Sequence, residues 1–343
     1  MRAAVIGATG YGGVELLRLL QQHPVVNVHS VHSSSNDGLP LGQMYGHLSG
    51  SLNFQLESID IDKIGSEVDV VFMATPAGVS SELTPQLSEY DTHIIDLSGD
   101  LRLQDNKSYE RWYNKTPAPS QIVEEAVYGL SEWNSNKISE AKIIANPGCY
   151  PTAVLLGLAP LVQLNLIKEE SIIIDAKSGV SGAGRNLATS VHFAETNENL
   201  KIYKVNKHQH IPEIEQMLLN WNDNIQPITL STHLVPMTRG IMATMYVEPK
   251  KQLKIEELYD IYRCAYDEHY FVRLKDTFPS TKEVYGSNYC DIALVNDERT
   301  GRITIVSVID NLVKGAAGQA IQNLNIILGM DEHTGLNLLP VYP

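Results

Sequence analysis

The sequence predicts an α/β protein in two parts, a doubly wound parallel sheet followed by an α+β region with a mainly antiparallel sheet. Three observations carry this. Short apolar strands alternate with helical segments from Ala3 to Gly148, the pattern of βαβ units. From Ile228 onward, strand patterns follow one another with turn signals between them. The length, 343 residues, exceeds what one ordinary core holds, so two domains are expected.

The first strand, residues 3–7, runs into Gly7-Ala-Thr-Gly-Tyr-Gly-Gly13, and Val14–Leu20 is apolar on one face at helical spacing. Strand, glycine-rich turn and helix form the phosphate-binding opening of a Rossmann-type nucleotide-binding domain. Glycine lets the backbone approach a pyrophosphate, and the helix N-terminus faces its charge. The spacing is G-x-x-G-x-x-G, a variant of the commoner G-x-G-x-x-G, and such turns also serve packing. Its place at the start of the chain and the second strand at Val26–Ser33 favour the nucleotide reading. Gly7, Thr9, Gly10, Tyr11, Gly12 and Gly13 are the candidate cofactor contacts.

The second strand ends in Val31-His-Ser-Ser-Ser-Asn36, with no carboxylate before Asp37. An NAD site usually places one there for the ribose 2′-hydroxyl. Hydroxyls suit a 2′-phosphate, so NADP(H) is the expected cofactor, with Ser33 and Ser35 as contacts; a plain polar loop is the alternative. Two further strands, Asp69–Thr75 and Thr92–Ser98, place Thr75, Pro76, Ser98 and Arg102 at carboxyl ends, where ligands sit in such sheets. Arg102 is a planar fork suited to phosphate or carboxylate, although a surface arginine fits the position equally. Residues 104–141 show no clear period and predict a long excursion, a lid.

Next comes Ile144-Ala-Asn-Pro-Gly-Cys-Tyr-Pro-Thr-Ala-Val-Leu-Leu-Gly-Leu-Ala-Pro160. A strand ends, Asn146-Pro-Gly148 breaks it, and an apolar helix opens. Cys149 therefore stands at, or one residue before, a helix N-terminus, where unpaired N–H groups and the dipole favour a thiolate. The same N–H groups could receive the oxygen of a carbonyl under attack. A buried inert cysteine is the competing reading.

Ser171–Ser178 is a further strand, followed by the glycine-rich turn Gly179-Val-Ser-Gly-Ala-Gly-Arg185, which approaches a ligand or is simply flexible. Tyr203-Lys-Val-Asn-Lys-His-Gln-His-Ile-Pro-Glu213 places His208 and His210 just before a helix with Pro212 and Glu213 in its first turn. No Cys, Asp or Glu cluster with metal-site spacing accompanies them, so no metal is expected. An acid–base partner for a cysteine is the functional reading, and two packed or exposed imidazoles the alternative. Ile228–Val235 and Ile241–Val247 alternate like paired strands around Met237-Thr-Arg-Gly240. Residues 255–269 read as an amphipathic helix with Cys264 in the core. Cys290–Val295 and Arg302–Ile309 read as a hairpin closed at Asn296–Gly301, and Asp310–Ala320 as a small-residue helix.

Composition narrows the function. Apolar content of 43% and charged content of 19% describe a soluble globular chain, and no run of ~18 apolar residues could span a bilayer. The N-terminus enters a strand at once and lacks the order of a signal peptide. Cys149, Cys264 and Cys290 argue against a disulfide framework and for a cytoplasmic setting. A net charge of −14 speaks against nucleic-acid binding and requires local cations for an anionic substrate.

Taken together, these blocks resemble the N-acetyl-γ-glutamyl-phosphate reductase family, the arginine-biosynthesis branch of the aspartate-semialdehyde and glyceraldehyde-phosphate dehydrogenase group. The most specific block is Pro147-Gly-Cys-Tyr-Pro-Thr-Ala153 with Gly157 and Pro160. Gly7–Gly13, Ser178–Arg185, His208–Ile214 and Asp310–Gly318 agree in the same order. The resemblance implies a nucleophilic Cys149 and an acid–base His210, with His208 the alternative. It implies that Ser178, Gly179, Ser181, Gly182 and Asn311 lie near the NADP(H), and that Arg102, Arg185 and His208 lie near an acyl phosphate. A homodimer or homotetramer is likewise implied. The domains would be 1–148 with a returning helix 311–343 for the dinucleotide, and 149–310 for catalysis and oligomerisation. Two departures stand out: Ser131 where the family often has Pro, and no basic residue near Ser34 or Ser35.

Three rivals share parts of the pattern. A short-chain reductase would use Tyr203 and Lys207 as a Tyr-x-x-x-Lys pair. A non-catalytic NADP-binding sensor would need the turn without the thiol. A reductase of aspartyl or N-acetyl-aminoadipyl phosphate would share every motif and differ only in its pocket.

Overall fold

The computed structural model describes residues 1–342. The chain divides into two compact units, Met1–Pro147 with Ala316–Asn337, and Gly148–Gly315 with the residues from Leu338 on. The return to the first unit thus begins at Ala316, five residues past the expected point, and residues 338–342 lie with the second unit.

In the first unit, β1 (Arg2–Ile6), β2 (Asn27–His32), β3 (Leu56–Glu57), β4 (Val70–Met73), β5 (His93–Asp96), β6 (Val127–Tyr128) and β7 (Ile143–Ala145) form one sheet. Their order is β3-β2-β1-β4-β5-β7-β6, and every pair is parallel. Ala3–Ile6 and Val70–Met73 are fully buried, as a parallel sheet covered on both faces requires of its central strands. The stretch 104–141 is not a lid. It folds into the helices Asn106–Tyr113, Ser120–Glu125 and Ser131–Ile138 and supplies the edge strand β6. Ala118, Ile122, Val123 and Ala126 pack in one core with Ala4, Ile6, Val71 and Ile143. Helices this short show too few turns for a period to register. Asp105, which accepts from Lys107 and Ser108 N–H, starts the first of them.

The returning helix, Gly318–Ile327, is buried from Gly318 to Asn325 although four of those residues are amides. Each finds a partner. Gln319 donates to Ser131 Oγ and to Gly129 O at 3.1 Å. Asn323 donates to Gly129 O at 2.8 Å and Asn146 Oδ1 at 3.1 Å, and accepts from Ser131 Oγ at 2.6 Å. Gln322 donates to Glu132, and Asn325 to the carbonyls of Glu332 and Thr334.

The second unit holds β8 (Ile173–Gly179), β9 (Lys201–Tyr203), β10 (Thr229–Val235), β11 (Ile241–Val247), β12 (Val272–Leu274), β13 (Cys290–Asp297) and β14 (Arg302–Ile309). The order is β12-β13-β14-β11-β8-β10-β9. Four of the six pairings are antiparallel, and the β12–β13 and β8–β10 pairings are parallel. The hairpin β13–β14 forms as expected. Strands β10 and β11 do not pair with each other: β8 lies between them. The link Pro236–Gly240 crosses the end of β8 and bonds to it, with Gly179, Val180 and Ser181 N–H donating to the carbonyls of Gly240, Met237 and Thr238.

The helix Cys149–Gln163 is apolar all round and buried from Tyr150 to Val162, lying against the sheet and the helices Ile211–Trp221 and Ile255–Tyr266. Pro160 lacks the N–H that Leu156 O would accept. Tyr266 Oη donates to that carbonyl at 2.6 Å, and Tyr262 Oη to the next, Gly157 O. The buried face of Ile255–Tyr266 is therefore Leu258, Tyr262 and Tyr266. Cys264, two residues on from Tyr262, points the other way and is exposed, contrary to its expected place in the core. Cys290 is fully buried. Thiol labelling of the native protein should modify Cys264 and leave Cys290 unmodified until denaturant is added; peptide mass analysis reads both, and early labelling of Cys290 would contradict this packing.

Candidate active site

The turn that carries Cys149 is held from its first residue. Asn146 N–H donates to Asp96 O at 2.8 Å, and its side chain donates to Ala316 O at 3.1 Å. Its carbonyl accepts from Arg102 Nε at 2.7 Å. Arg102 also donates through Nη2 to Leu97 O at 2.8 Å and is 5% exposed. A guanidinium so placed ties two strand ends together. Asp96 beside it is fully buried; burial first, and then Asp100, push its carboxyl up to about 6.

In the second unit, Gly148 is the N-cap, extended at ψ 157°, and Cys149 is the first helical residue, half-buried and outside any disulfide. Gly148 O accepts from both Thr152 N–H and Thr152 Oγ1 at 2.9 Å. Gly148 N–H donates to Glu213 Oε1 at 2.8 Å, so the oxyanion-binding reading moves to the N–H groups after it. Cys149 and Tyr150 belong to the first turn, whose N–H groups have no acceptor inside the helix.

Two close contacts confine this turn. A Cβ on Gly148 would lie 2.5 Å from His210 Nε2, so the imidazole rests on the residue before the nucleophile. A Cβ on Gly315 would lie 2.8 Å from Cys149 Cβ. Gly315 belongs to a π-helical turn, Val313–Ala317, a feature frequent at functional sites.

The histidines differ in kind. His208 Nδ1 accepts from His210 N–H at 3.2 Å, and the ring packs edge-on to Tyr150 and Tyr203. Burial, with Lys204 adding to it, pushes the His208 pKa down to about 3. It is a neutral imidazole. His210, the N-cap of Ile211–Trp221, is the one that reaches the cysteine turn. Tyr150 and Tyr203 share a hydroxyl contact of 3.1 Å. Tyr203 ends β9, and Lys204 and Asn206 have left-handed φ of 46° and 52°. Tyr203 and Lys207 are therefore not on a helix, which removes the short-chain reductase geometry.

The remaining expected residues fall as follows. In the first unit a Cβ on Gly7 would meet Ala74 O at 2.3 Å and one on Gly13 would meet Gly7 O at 2.3 Å, while Gly12 has nothing within 4 Å. Gly10 caps the helix Tyr11–Leu20 without a side-chain hydrogen bond, and Tyr45 Oη donates to Thr9 O. Thr75 Oγ1, beside Pro76, is buried with no partner among the described residues. This open cradle before a helix N-terminus, with an unsatisfied hydroxyl beside it, fits a dinucleotide's phosphates. Ser33 is buried with Oγ accepting from Asn36, whereas Ser35 is exposed.

In the second unit Asn311 accepts from Gly240 N–H at 2.8 Å and donates to Ser181 Oγ at 3.0 Å. Its amide thus ties Gly240 of the link to Ser181 in the loop of Ser178, Gly179, Ser181 and Gly182. Arg185 is exposed. Arg239 lies 3.6 Å from Asp310 and over Tyr285. Among the described residues no cluster of three His, Cys, Asp or Glu could hold a metal, and no helix is long and apolar enough to cross a membrane. Sequence reasoning missed the grip of Glu213 on Gly148 and the contact of Gly315. The first read as an ordinary first-turn acid; the second had no local signal.

Comparison with known proteins identifies the class of the chain. Residues 2–141 match the model described as "Semialdehyde dehydrogenase, NAD binding domain", and residues 149–311 that described as "Semialdehyde dehydrogenase, dimerisation domain". The chain is thus of the semialdehyde dehydrogenase class. It is 60% identical over 345 residues to the N-acetyl-gamma-glutamyl-phosphate reductase of Geobacillus sp. (strain WCH70), covering 100% of both chains. It is 56% identical to that of Bacillus subtilis (strain 168), again over 100% of both. The chain belongs to the N-acetyl-gamma-glutamyl-phosphate reductase family. Among solved structures, aspartate semialdehyde dehydrogenase II from Vibrio cholerae aligns with a TM-score of 0.73 at 19% identity, covering 96% of this chain and 98% of that one. Aspartate semialdehyde dehydrogenase with NADP from Candida albicans aligns at 0.71 and 16%, covering 95% and 98%. At such identities the likeness concerns the fold.

Gly315→Ala should displace the Cys149 side chain. The expected result is a loss of kcat of about 10²-fold for a displacement near 1 Å, with an unchanged circular dichroism spectrum; full activity would contradict the contact.

Proposed function

We propose that the protein reduces N-acetyl-γ-glutamyl phosphate to N-acetylglutamate 5-semialdehyde and phosphate, with NADPH, in arginine biosynthesis. The observation that carries the reading is Cys149 at the first position of a buried helix, with His210 against the same turn. The full-length relatives carrying that activity in their names support it.

The Cys149 thiolate, favoured by the helix N-terminus, attacks the acyl carbon. The first-turn N–H groups receive the developing oxyanion. The carbon–oxygen bond to phosphate breaks and a thioester forms on Cys149. NADPH, when bound, supplies a hydride to the thioester carbon. His210 protonates the resulting alkoxide, then takes the proton back as the carbon–sulfur bond breaks, releasing the aldehyde and the thiolate. His208 does not carry this proton. With its pKa at about 3 it stays neutral, its Nδ1 occupied and its Nε2 protonated, suited to donate to a substrate oxygen.

The missing carboxylate after β2 and the exposed Ser35 support NADPH over NADH. The domain description for residues 149–311 supports a homodimer or a tetramer of such dimers, and an unoxidised Cys149 suits the cytoplasm. Arg185 and Arg239 are the arginines we propose for the substrate's two anionic groups. Arg102 and Asn311 are proposed to act by holding the backbone around the site.

The decisive experiment is the reverse reaction, with phosphate and either NADP or NAD, on the semialdehydes of N-acetylglutamate, aspartate and N-acetylaminoadipate, with Cys149→Ser as the control. N-acetylglutamate semialdehyde with NADP is expected to win clearly, and the serine variant to turn over none. A win for aspartate semialdehyde would overturn the pocket, turnover by the serine variant would overturn the mechanism, and a chain that binds NADP but reduces nothing would be the sensor.

The two histidines separate by pH. Between about pH 6.5 and 3 the unfolded chain binds a proton that folded His208 refuses, so stability from this site is present above that window and lost as pH falls through it. His208→Gln should therefore lessen acid destabilisation and leave the midpoint of the pH–kcat profile in place, whereas His210→Asn should abolish its proton-dependent limb. A shifted midpoint in His208→Gln would reverse the assignment.

A further inference from the structure

The start of the helix Ile211–Trp221 contains an anomaly. Glu213 is the third helical residue, where a glutamate ordinarily reaches back to the N–H of its own N-cap. Here the N-cap is His210, and its N–H donates to His208 Nδ1 instead. The Glu213 carboxylate is fully buried and accepts from Gly148 N–H, 65 residues away in sequence, at 2.8 Å. That N–H belongs to the N-cap of the cysteine helix. One helix start thus places an imidazole on Gly148 and a carboxylate oxygen on the same residue's amide.

We propose that Glu213 is the positioning residue of the nucleophile turn. Its Oε1 fixes the Gly148 amide and so keeps Cys149 in register with His210. The inference rests on the reading of Cys149 and His210 given above and adds a residue to it. The role needs an acceptor at a given reach rather than a charge. An amide oxygen at the same distance accepts the same N–H, whereas a methyl group leaves it stranded in a buried site. The contact also takes Gly148 N–H out of the set available to an oxyanion, so the grip and the oxyanion site use different N–H groups of one turn.

The test compares Glu213→Gln with Glu213→Ala in the full-length protein, reading kcat, KM and the exchange rate of the Gly148 amide hydrogen. Glu213→Gln is expected to keep kcat within about 3-fold of the parent and the Gly148 amide protected. Glu213→Ala is expected to lower kcat about 10²-fold with little change in KM, and to speed exchange at Gly148 about 10-fold or more. Should Glu213→Ala fail to fold, the glutamine variant still decides. A folded Glu213→Gln as inactive as Cys149→Ser would show that the charge is required and overturn the positional role. A Glu213→Ala with parental kcat and parental exchange would overturn it as well. The exchange measurement needs no turnover, so it reports on the grip even if Cys149→Ser proves the nucleophile assignment wrong.

Discussion

A single constraint governs the cysteine turn: two backbones and one imidazole meet there with no room for a Cβ. His210 lies where a side chain on residue 148 would stand, and Cys149 where one on residue 315 would stand. Both positions must be glycine, and both lie at unit boundaries, Pro147–Gly148 and Gly315–Ala316. The position of Cys149 is therefore set by close packing around main chain, which is stiffer than any arrangement of long side chains. A thiol on such a turn keeps its relation to the helix N-terminus, whose dipole favours the thiolate form.

Within the first unit a buried polar network surrounds the end of β7. Asn146, Arg102 and Asn323 form its core, and Gln319 and Ser131 extend it. Each hydrogen bond contributes about 1 kcal/mol net, but removing one partner leaves the other stranded at about 1–3 kcal/mol. The value of the network therefore lies in specificity: the placement of the helix Gly318–Ile327 gives every one of its amides a donor bond, with Gln319 Oε1 alone left without a partner among the described residues. Ser131 takes part directly, accepting from Gln319 and donating to Asn323. A proline, which the family that the sequence resembles often carries at that position, could do neither.

Legibility tracked how local each cause is. The opening strand, the glycine turn, the helix after it and the placing of Cys149 at a helix start were readable because each depends on neighbours within a few residues. The hairpin β13–β14 was readable for the same reason. The order of β10, β8 and β11 was not, because the insertion of β8 rests on main-chain bonds from residues 179–181 to a link 60 residues later. Cys264 was misplaced because periodicity gives a helix two candidate faces, and only Tyr262 and Tyr266, drawn to the carbonyls freed around Pro160, decide between them. Helices of six to eight residues in 104–141 escaped detection because they span too few turns. In the site, residue types were readable and their partners were not: nothing local showed the carbonyls of Leu97 and Asn146 that Arg102 meets.

Charge distribution ties the site to its substrate class. The chain carries −14 overall, yet Leu200–His210 contains three lysines, two histidines and no carboxylate. Lys204 holds a left-handed φ there, a conformation costing an L-residue about 1 kcal/mol, and its charge is felt by His208. Three lysines without a carboxylate give this segment a positive charge against the overall −14, felt over about one Debye length, ~8 Å at physiological salt. Lys204, after burial, disfavours a positive charge on His208. Two rings two residues apart thus meet different surroundings: His208 has its Nδ1 occupied by a backbone N–H, and His210 lies on Gly148.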